Sequence, residues 1–206
     1  MHITTEPDPT PMVRIVATTL RRSAGEAKRA ASMRRLKGLL ALQSTTDPQA
    51  VTIAFAKGSA HVTRGAAADA KVTIAANFAT MSEPDAPKPQ VSGALGHVMF
   101  AVGAAKALDP PKGSWQQEAD RFWAYCQTKH GMPSGVEVVN TDDGSRRVLG
   151  TDPECELHGP GFELLNVFMG NTVLGEKVFT QKMFVVGPLR YLARLTGAGL
   201  DYSMGL

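Results

Sequence analysis

The sequence predicts an α+β protein made of two related units, each an antiparallel sheet with helices packed on one face. Apolar spacing changes along the chain from the helical period to strict alternation and back. The order helix, hairpin, strand, helical segment, strand, helix occurs twice. Pro110-Pro111 separates the two occurrences, because consecutive prolines remove backbone donors and fix φ.

Composition limits the class of protein. The 206 residues are 43% hydrophobic and 20% charged, which indicates a globular chain. No run reaches the roughly 18 apolar residues of a membrane-spanning helix, and the first residues lack a secretory pattern. Cys126 and Cys155 fit neither a metal site nor a disulfide framework. We therefore expect a cytoplasmic protein with no metal and no cofactor.

The first unit is predicted to begin with helices. Residues 1–11 contain three prolines and are predicted to be a mobile N-terminal arm. Helical spacing continues from Met12 to Gln43, with a break at Ser23-Ala24-Gly25. The first unit is expected to span residues 12–112, and the second residues 113–206.

Positive charge is concentrated in the first helices, with eight basic residues and one acidic residue between Arg14 and Lys37. This segment is either a solvated helix face or a surface for anionic membranes. Nucleic acid is not expected, since no aromatic or groove-reading motif accompanies the charge. The predicted membrane or anion contacts are Arg21, Arg22, Lys28, Arg29, Arg34, Arg35 and Lys37.

Strand patterns follow the basic segment. Val51–Phe55 alternates, Lys57-Gly58-Ser59 is a turn, and Ala60–Arg64 returns as a hairpin arm. Val72 and Ile74 mark a third strand. The remaining predictions for this unit are a helical stretch from Asn77, an irregular segment Ser82–Pro89, a fourth strand through Val98, Phe100 and Val102 that ends at Gly103, and a helix that begins with Ala104–Leu108.

The second unit repeats this order. Ser114 and Gln117 form a capping-box signature for a helix whose apolar face includes Cys126. The predicted strands are Val136–Val139, Arg146–Leu149, Glu154–His158 and Met183–Val186, with a tight turn at Asp142-Asp143-Gly144.

An alignment of the halves indicates a repeat of roughly 85 residues. It places Gly58 on Gly144, Val72 and Ile74 on Cys155 and Leu157, and Met99–Gly103 on Met183–Gly187.

The second half carries a family pattern. A hairpin with a glycine turn is followed by an apolar strand, and then by a helix with Phe162, Leu164 and Leu165 that ends at Gly170. A second helix leads to a strand that closes on glycine, before an amphipathic helix. Val136–Leu195 has this order of elements, and in it the segment resembles the sterol carrier protein family of lipid-binding domains.

The first half resembles the same family through VTIAFAKGSAHVTRG and DAKVTIAANF, but departs from it where SEPDAPKP replaces the apolar helix pair. Both halves also lack strands that such domains often have before the hairpin. The resemblance implies non-catalytic binding and carriage of a sterol, fatty acid or acyl-CoA in an apolar tunnel, with the basic helix docking on membranes.

The apolar segment after Gly161 is the candidate ligand site. A filled core requires the same residue types as a tunnel, so the sequence leaves both open. The predicted ligand contacts are Phe162, Leu164, Leu165, Phe168, Met169, Val173, Leu174, Val178, Phe179, Met183, Val185, Leu189 and Leu192.

One polar group offers an alternative. Glu154, Glu156 and His158 alternate along a strand and would share a face as a metal or acid/base group. Lys71, Thr73 and Ala75 occupy the matching positions of the first half, which favours a plain solvent face. The alternative function is an enzyme, or an accessory module of an enzyme, that acts on lipid-like substrates. A weaker third hypothesis is a surface for interaction only.

Overall fold

The computed structural model describes residues 1–78, 85–110 and 112–206. The chain divides into two compact units, Met1–Pro111 and Lys112–Leu206, called here the first and second unit. The fold is mixed α and β, with a separate sheet in each unit. Part of the stretch predicted from Asn77, residues 82–84 of the irregular segment and Pro111 lie outside the described residues.

The first unit contains three α-helices among its described residues. Helix α1 begins after Thr10, whose hydroxyl accepts a hydrogen bond from the Val13 N–H at 3.5 Å. It buries Val13, Val16, Ala17 and Leu20, one stripe at helical spacing, against the sheet. The helices are α1 (Pro11–Ala24), α2 (Ala27–Met33) and α3 (Val98–Leu108).

The sheet of the first unit is mixed, whereas the sequence predicted an antiparallel one. Its strands are β1 (His2–Thr5), β2 (Gly38–Ser44), β3 (Ala50–Ala56), β4 (Ser59–Arg64), β5 (Val72–Ala76) and β6 (Gln90–Ser92). The order is β1-β4-β3-β2-β5-β6, and both β1–β4 and β2–β5 are parallel pairs. The parallel β2–β5 pair arises because the chain after β4 crosses the sheet and adds β5 beside β2.

The N-terminal residues form an edge strand of this sheet, so the prediction of a mobile arm over residues 1–11 was wrong for this part. The His2 N–H donates to the Gly58 carbonyl at 2.9 Å, and Ile3 packs against the core. Ladder hydrogen bonds and the apolar side chains of Met1 and Ile3 hold the segment, and α1 already includes Pro11.

Two further predictions for the first unit were wrong. The helix predicted as far as Gln43 ends at Met33, and Gly38–Ser44 is strand β2, where Leu40 and Leu42 alternate toward the core. The strand predicted through Val98, Phe100 and Val102 is helix α3. Its alanines favour helix, and Ala104 and Ala107 are fully buried.

The second unit begins with the predicted capping box, which is confirmed: Gln117 N–H donates to Ser114 Oγ at 3.3 Å. The hairpin with its turn at Asp142 and Asp143 is also confirmed. The elements are α4 (Trp115–Cys126), β7 (Gly135–Asn140), β8 (Arg146–Gly150), β9 (Pro153–Gly159), α5 (Gly161–Phe168), α6 (Leu174–Phe179), β10 (Phe184–Val186) and α7 (Leu189–Met204). The order is β10-β9-β7-β8, and β7–β9 is parallel, so this sheet is also mixed rather than antiparallel.

The two sheets share one pairing scheme. Each has an antiparallel hairpin, a parallel partner beside the hairpin's first strand, and a further antiparallel strand. Leu40 lies opposite Val72 in the first sheet, and Val136 lies opposite Cys155 in the second. By this scheme β7 and β8 correspond to β2 and β3, whereas the sequence alignment set them against β3 and β4.

This strand-pairing scheme also corrects the last part of the sequence alignment between the two halves. The strand that matches β10 is β6, because each pairs antiparallel with the crossover strand of its sheet. Gly93 follows β6 and Gly187 follows β10, and each lies against the start of that crossover strand. Met99–Gly103 belongs to α3 and therefore does not match Met183–Gly187.

Candidate functional site

Much of the apolar segment of the second unit is buried in one hydrophobic core. Leu164, Phe168, Leu174, Met183 and Leu192 are buried together in one cluster. Leu165, Val178 and Val185 pack against that cluster, Met169 is buried, and Val173 is partly buried. The cavity beside Phe168 and Leu174 measures about 10 Å³, room for one water molecule.

Three of the predicted ligand contacts lie at the surface instead. Phe179 is 83% exposed, Leu189 is 77% exposed, and Phe162 is about half exposed. The structure therefore places these three residues apart from the buried part of the predicted set.

Some basic residues of the first unit are exposed to solvent, and others are partly buried. Arg21, Lys28, Arg34, Arg35 and Lys37 are exposed, and the last three follow α2 rather than lying on a helix. Arg22 and Arg29 are partly buried.

Arg29 is held by several hydrogen bonds. Its Nε donates to Glu26 Oε2 at 2.8 Å. Its Nη1 donates to the Lys106 carbonyl at 2.8 Å and to the Asp109 carbonyl. These carbonyls end α3, so Arg29 satisfies free acceptors and opposes the negative end of the helix dipole.

A recess of about 430 Å³ lies between α2 and α3, and we call it the α2–α3 recess. Its floor includes the buried residues Met33 and Ala107. The exposed residues Lys28, Ser32, Lys106 and Asp109 form its rim, so it opens to solvent. The remaining lining residues are Arg29 and Gly103.

Gly103 allows α3 to approach Leu36 closely. A Cβ at this position would lie 2.6 Å from Leu36 Cδ2, so a larger residue would displace that side chain. Sequence reasoning did not select Lys106 or Gly103 as site residues. The chain offers no local signal for the recess, which results from the packing of α2 on α3.

Exposed apolar side chains lie at the start of α3 and in the 3-10 turn Ala94–Gly96 just before it, and we call them the apolar ridge: Leu95, Val98, Met99 and Val102. Leu95 is fully exposed and Met99 is 84% exposed. Lys106 lies one helical turn beyond Val102, so the ridge ends at a cation on the recess rim. Large apolar side chains grouped at a surface are typical of interaction sites.

The polar strand of the second unit lies on the sheet face opposite the core. Glu154 is exposed and accepts hydrogen bonds from Tyr191 Oη at 2.6 Å and from Ser134 N–H at 2.6 Å. The Tyr191 hydroxyl, with the Ser134 N–H, lowers the pKa of Glu154. Glu156 Oε2 lies 2.7 Å from His158 Nε2, and the His158 ring stacks on Phe184 with centroids 4.5 Å apart.

This group provides one carboxylate–imidazole pair. Within the described ranges, no three His, Cys, Asp or Glu side chains are placed so that they could hold a metal ion. Hydrogen bonds and ring stacking account for the positions of all three predicted side chains.

Comparison with protein families, with curated proteins and with solved structures finds no match for the chain. In the part of the chain that the structure describes, no helix has the length and apolar character needed to cross a membrane.

Proposed function

We propose that the protein binds and carries an apolar, lipid-like ligand without catalysis, and that it docks on anionic membrane surfaces to exchange it. The ligand class is sterol, fatty acid or acyl-CoA. The α2–α3 recess is the observation that carries this proposal. Its volume of about 430 Å³ lies within the usual range for small-molecule pockets.

The sequence resemblance to sterol carrier proteins supports the proposal. The shared pairing scheme of the two sheets is consistent with a duplicated domain, as that resemblance implies. The recess lies in the first unit, so we assign ligand binding there and not to the apolar segment of the second unit.

Docking is supported by the combination of apolar and basic residues on neighbouring elements of the first unit. The apolar ridge supplies side chains that can enter the interfacial region of a bilayer. Lys106 extends the ridge, and Lys28 lies on the same recess rim. Each basic residue near an anionic surface contributes about 1 kcal/mol, so an anionic bilayer is the partner that this surface fits.

The test is native mass spectrometry of the purified protein, followed by identification of any lipid that dissociates. Ser32→Trp places a large ring at the recess rim, so it should abolish co-purified lipid. Ala31→Trp is the matched control, because Ala31 is an exposed neighbour on α2 that does not line the recess.

Equal lipid content in both variants would contradict the assignment to the recess. Absence of any bound lipid in the wild-type protein, even after incubation with long-chain lipids, would contradict the carriage function.

A further inference from the structure

We infer that the α2–α3 recess selects amphiphiles with an anionic headgroup, a carboxylate or a phosphate, over uncharged lipids. This inference rests on the proposed function and specifies the ligand class and its orientation. The headgroup lies at the rim, and the apolar chain lies in the recess below it.

The first observation behind this inference is the net positive charge of the residues that line the recess. Lys28, Arg29 and Lys106 line the recess together with one carboxylate, that of Asp109. An uncharged ligand would need no such excess of cations around an apolar floor. A carboxylate or phosphate group would form charge-assisted hydrogen bonds with them.

The three cations are not equivalent. Arg29 is engaged by Glu26 and by the carbonyl groups that end α3, so it serves the packing of the two helices. Lys28 and Lys106 form no ion pair with any described residue. Their ammonium groups are therefore the ones available to a ligand.

The positions of polar and apolar groups determine the orientation. Lys28 and Lys106 are exposed, and Ser32 adds a hydroxyl on the same rim. Met33 and Ala107 are buried at the floor. The anionic headgroup of an amphiphile would therefore lie at the rim, where the two exposed lysines and the Ser32 hydroxyl can contact it.

The experiment compares a long-chain fluorescent fatty acid with its methyl ester, which has a similar chain and no charge. The wild-type protein should bind the acid about five-fold more tightly, the effect of one to two partly exposed ion pairs. Lys28→Gln with Lys106→Gln should reduce this preference to about one, because it weakens binding of the acid more than binding of the ester.

A matched control keeps the net charge equal. Lys57→Gln with Lys88→Gln removes two exposed lysines of the first unit that do not line the recess, and it should retain the preference. Circular dichroism and thermal unfolding of both double variants check that the fold is intact.

The possible results distinguish failure of this inference about anionic ligands from failure of the proposed carriage function. If the acid and ester bind the wild-type protein equally, or if the Lys28 and Lys106 variant keeps the preference, the inference is overturned and carriage stands. If neither ligand binds, carriage fails and the inference fails with it. Displacement of the fatty acid by inorganic phosphate alone would show a small-anion site and would also overturn the inference.

Discussion

The Lys177 ammonium lies 3.1 Å from Glu163 Oε2 in the interior of the second unit. Lys177 is only 2% exposed and Glu163 only 7%. Lys182 Nζ approaches the other carboxylate oxygen at 3.9 Å. The Glu163–Lys177 ion pair joins α5 to α6, the two helices that the sequence assigned to a ligand pocket. The pair is therefore a polar contact between α5 and α6 within a mainly apolar core.

Glu163→Gln should destabilise the protein by about 3–5 kcal/mol, because it leaves the Lys177 charge buried without its partner. Lys177→Met should cost less, since Lys182 stays near Glu163. The double change Glu163→Leu with Lys177→Met should recover most of the loss, since no buried charge remains. Urea unfolding measures all three, and equal stability of Glu163→Gln and wild type would exclude a structural role for the pair.

Gly93 and Gly187 should tolerate alanine poorly. Gly187 has φ +139°, and an added Cβ would lie 2.8 Å from Cys155 Cβ. Gly93 has φ +76°, and its added Cβ would overlap the Lys71 carbonyl oxygen. Each variant should lose about 3 kcal/mol or more through combined strain and overpacking.

Gly58→Ala is the control for these glycines. It has φ +80° but no neighbour within 4 Å of an added Cβ, so it should lose about 1 kcal/mol from strain alone. Thermal unfolding compares the three variants. Equal losses at all three positions would show that close approach to the crossover strand does not matter.

Both cysteines should react slowly in the native protein. Burial raises the pKa of the Cys126 thiol to about 12 and that of Cys155 to about 11, with the Glu154 carboxylate adding to the second shift. Because the thiolate is the nucleophile, iodoacetamide at neutral pH should label neither until the chain is unfolded in guanidinium. As pH rises, Cys155 should label before Cys126. Intact-mass analysis counts the adducts, and rapid native labelling at neutral pH would contradict the burial.

Membrane docking should depend on the apolar ridge. Leu95→Ser with Met99→Ser should weaken binding to vesicles of phosphatidylglycerol and phosphatidylcholine about ten-fold, because two apolar side chains no longer enter the interface. Added salt should weaken binding by the wild-type protein as well. Co-sedimentation with vesicles is the measurement.

The matched control is Phe179→Ser with Leu189→Ser, an exposed apolar pair in the second unit. This variant should bind vesicles as wild type does. If it loses as much affinity as the ridge variant, or if neutral vesicles bind the wild type equally well, the docking surface is not the one proposed.

Local signals in the sequence were sufficient to predict several structural elements. The hairpin of β3 and β4, the capping box at Ser114 and the burial of Cys126 all follow from alternation, turn residues and helical spacing, and all are confirmed. Each of these depends on residues close together in the chain.

The errors came from short apolar runs, which fit a helix and a strand equally well. Leu36 and Leu40 are four residues apart, as in a helix, yet Leu40 and Leu42 alternate in β2. Val98, Phe100 and Val102 alternate as in a strand, although the alanines around and after them favour helix. The recess could not be predicted, since it depends on contact between segments about 75 residues apart.

The parallel strand pairs of the two sheets close chain loops of different length during folding. Leu40 and Val72 are separated by 32 residues, whereas Val136 and Cys155 are separated by 19. Closing the shorter loop costs about 0.5 kcal/mol less conformational entropy. The second sheet should therefore assemble before the first during refolding, and pulsed hydrogen exchange should show amide protection in β7 and β9 ahead of β2 and β5.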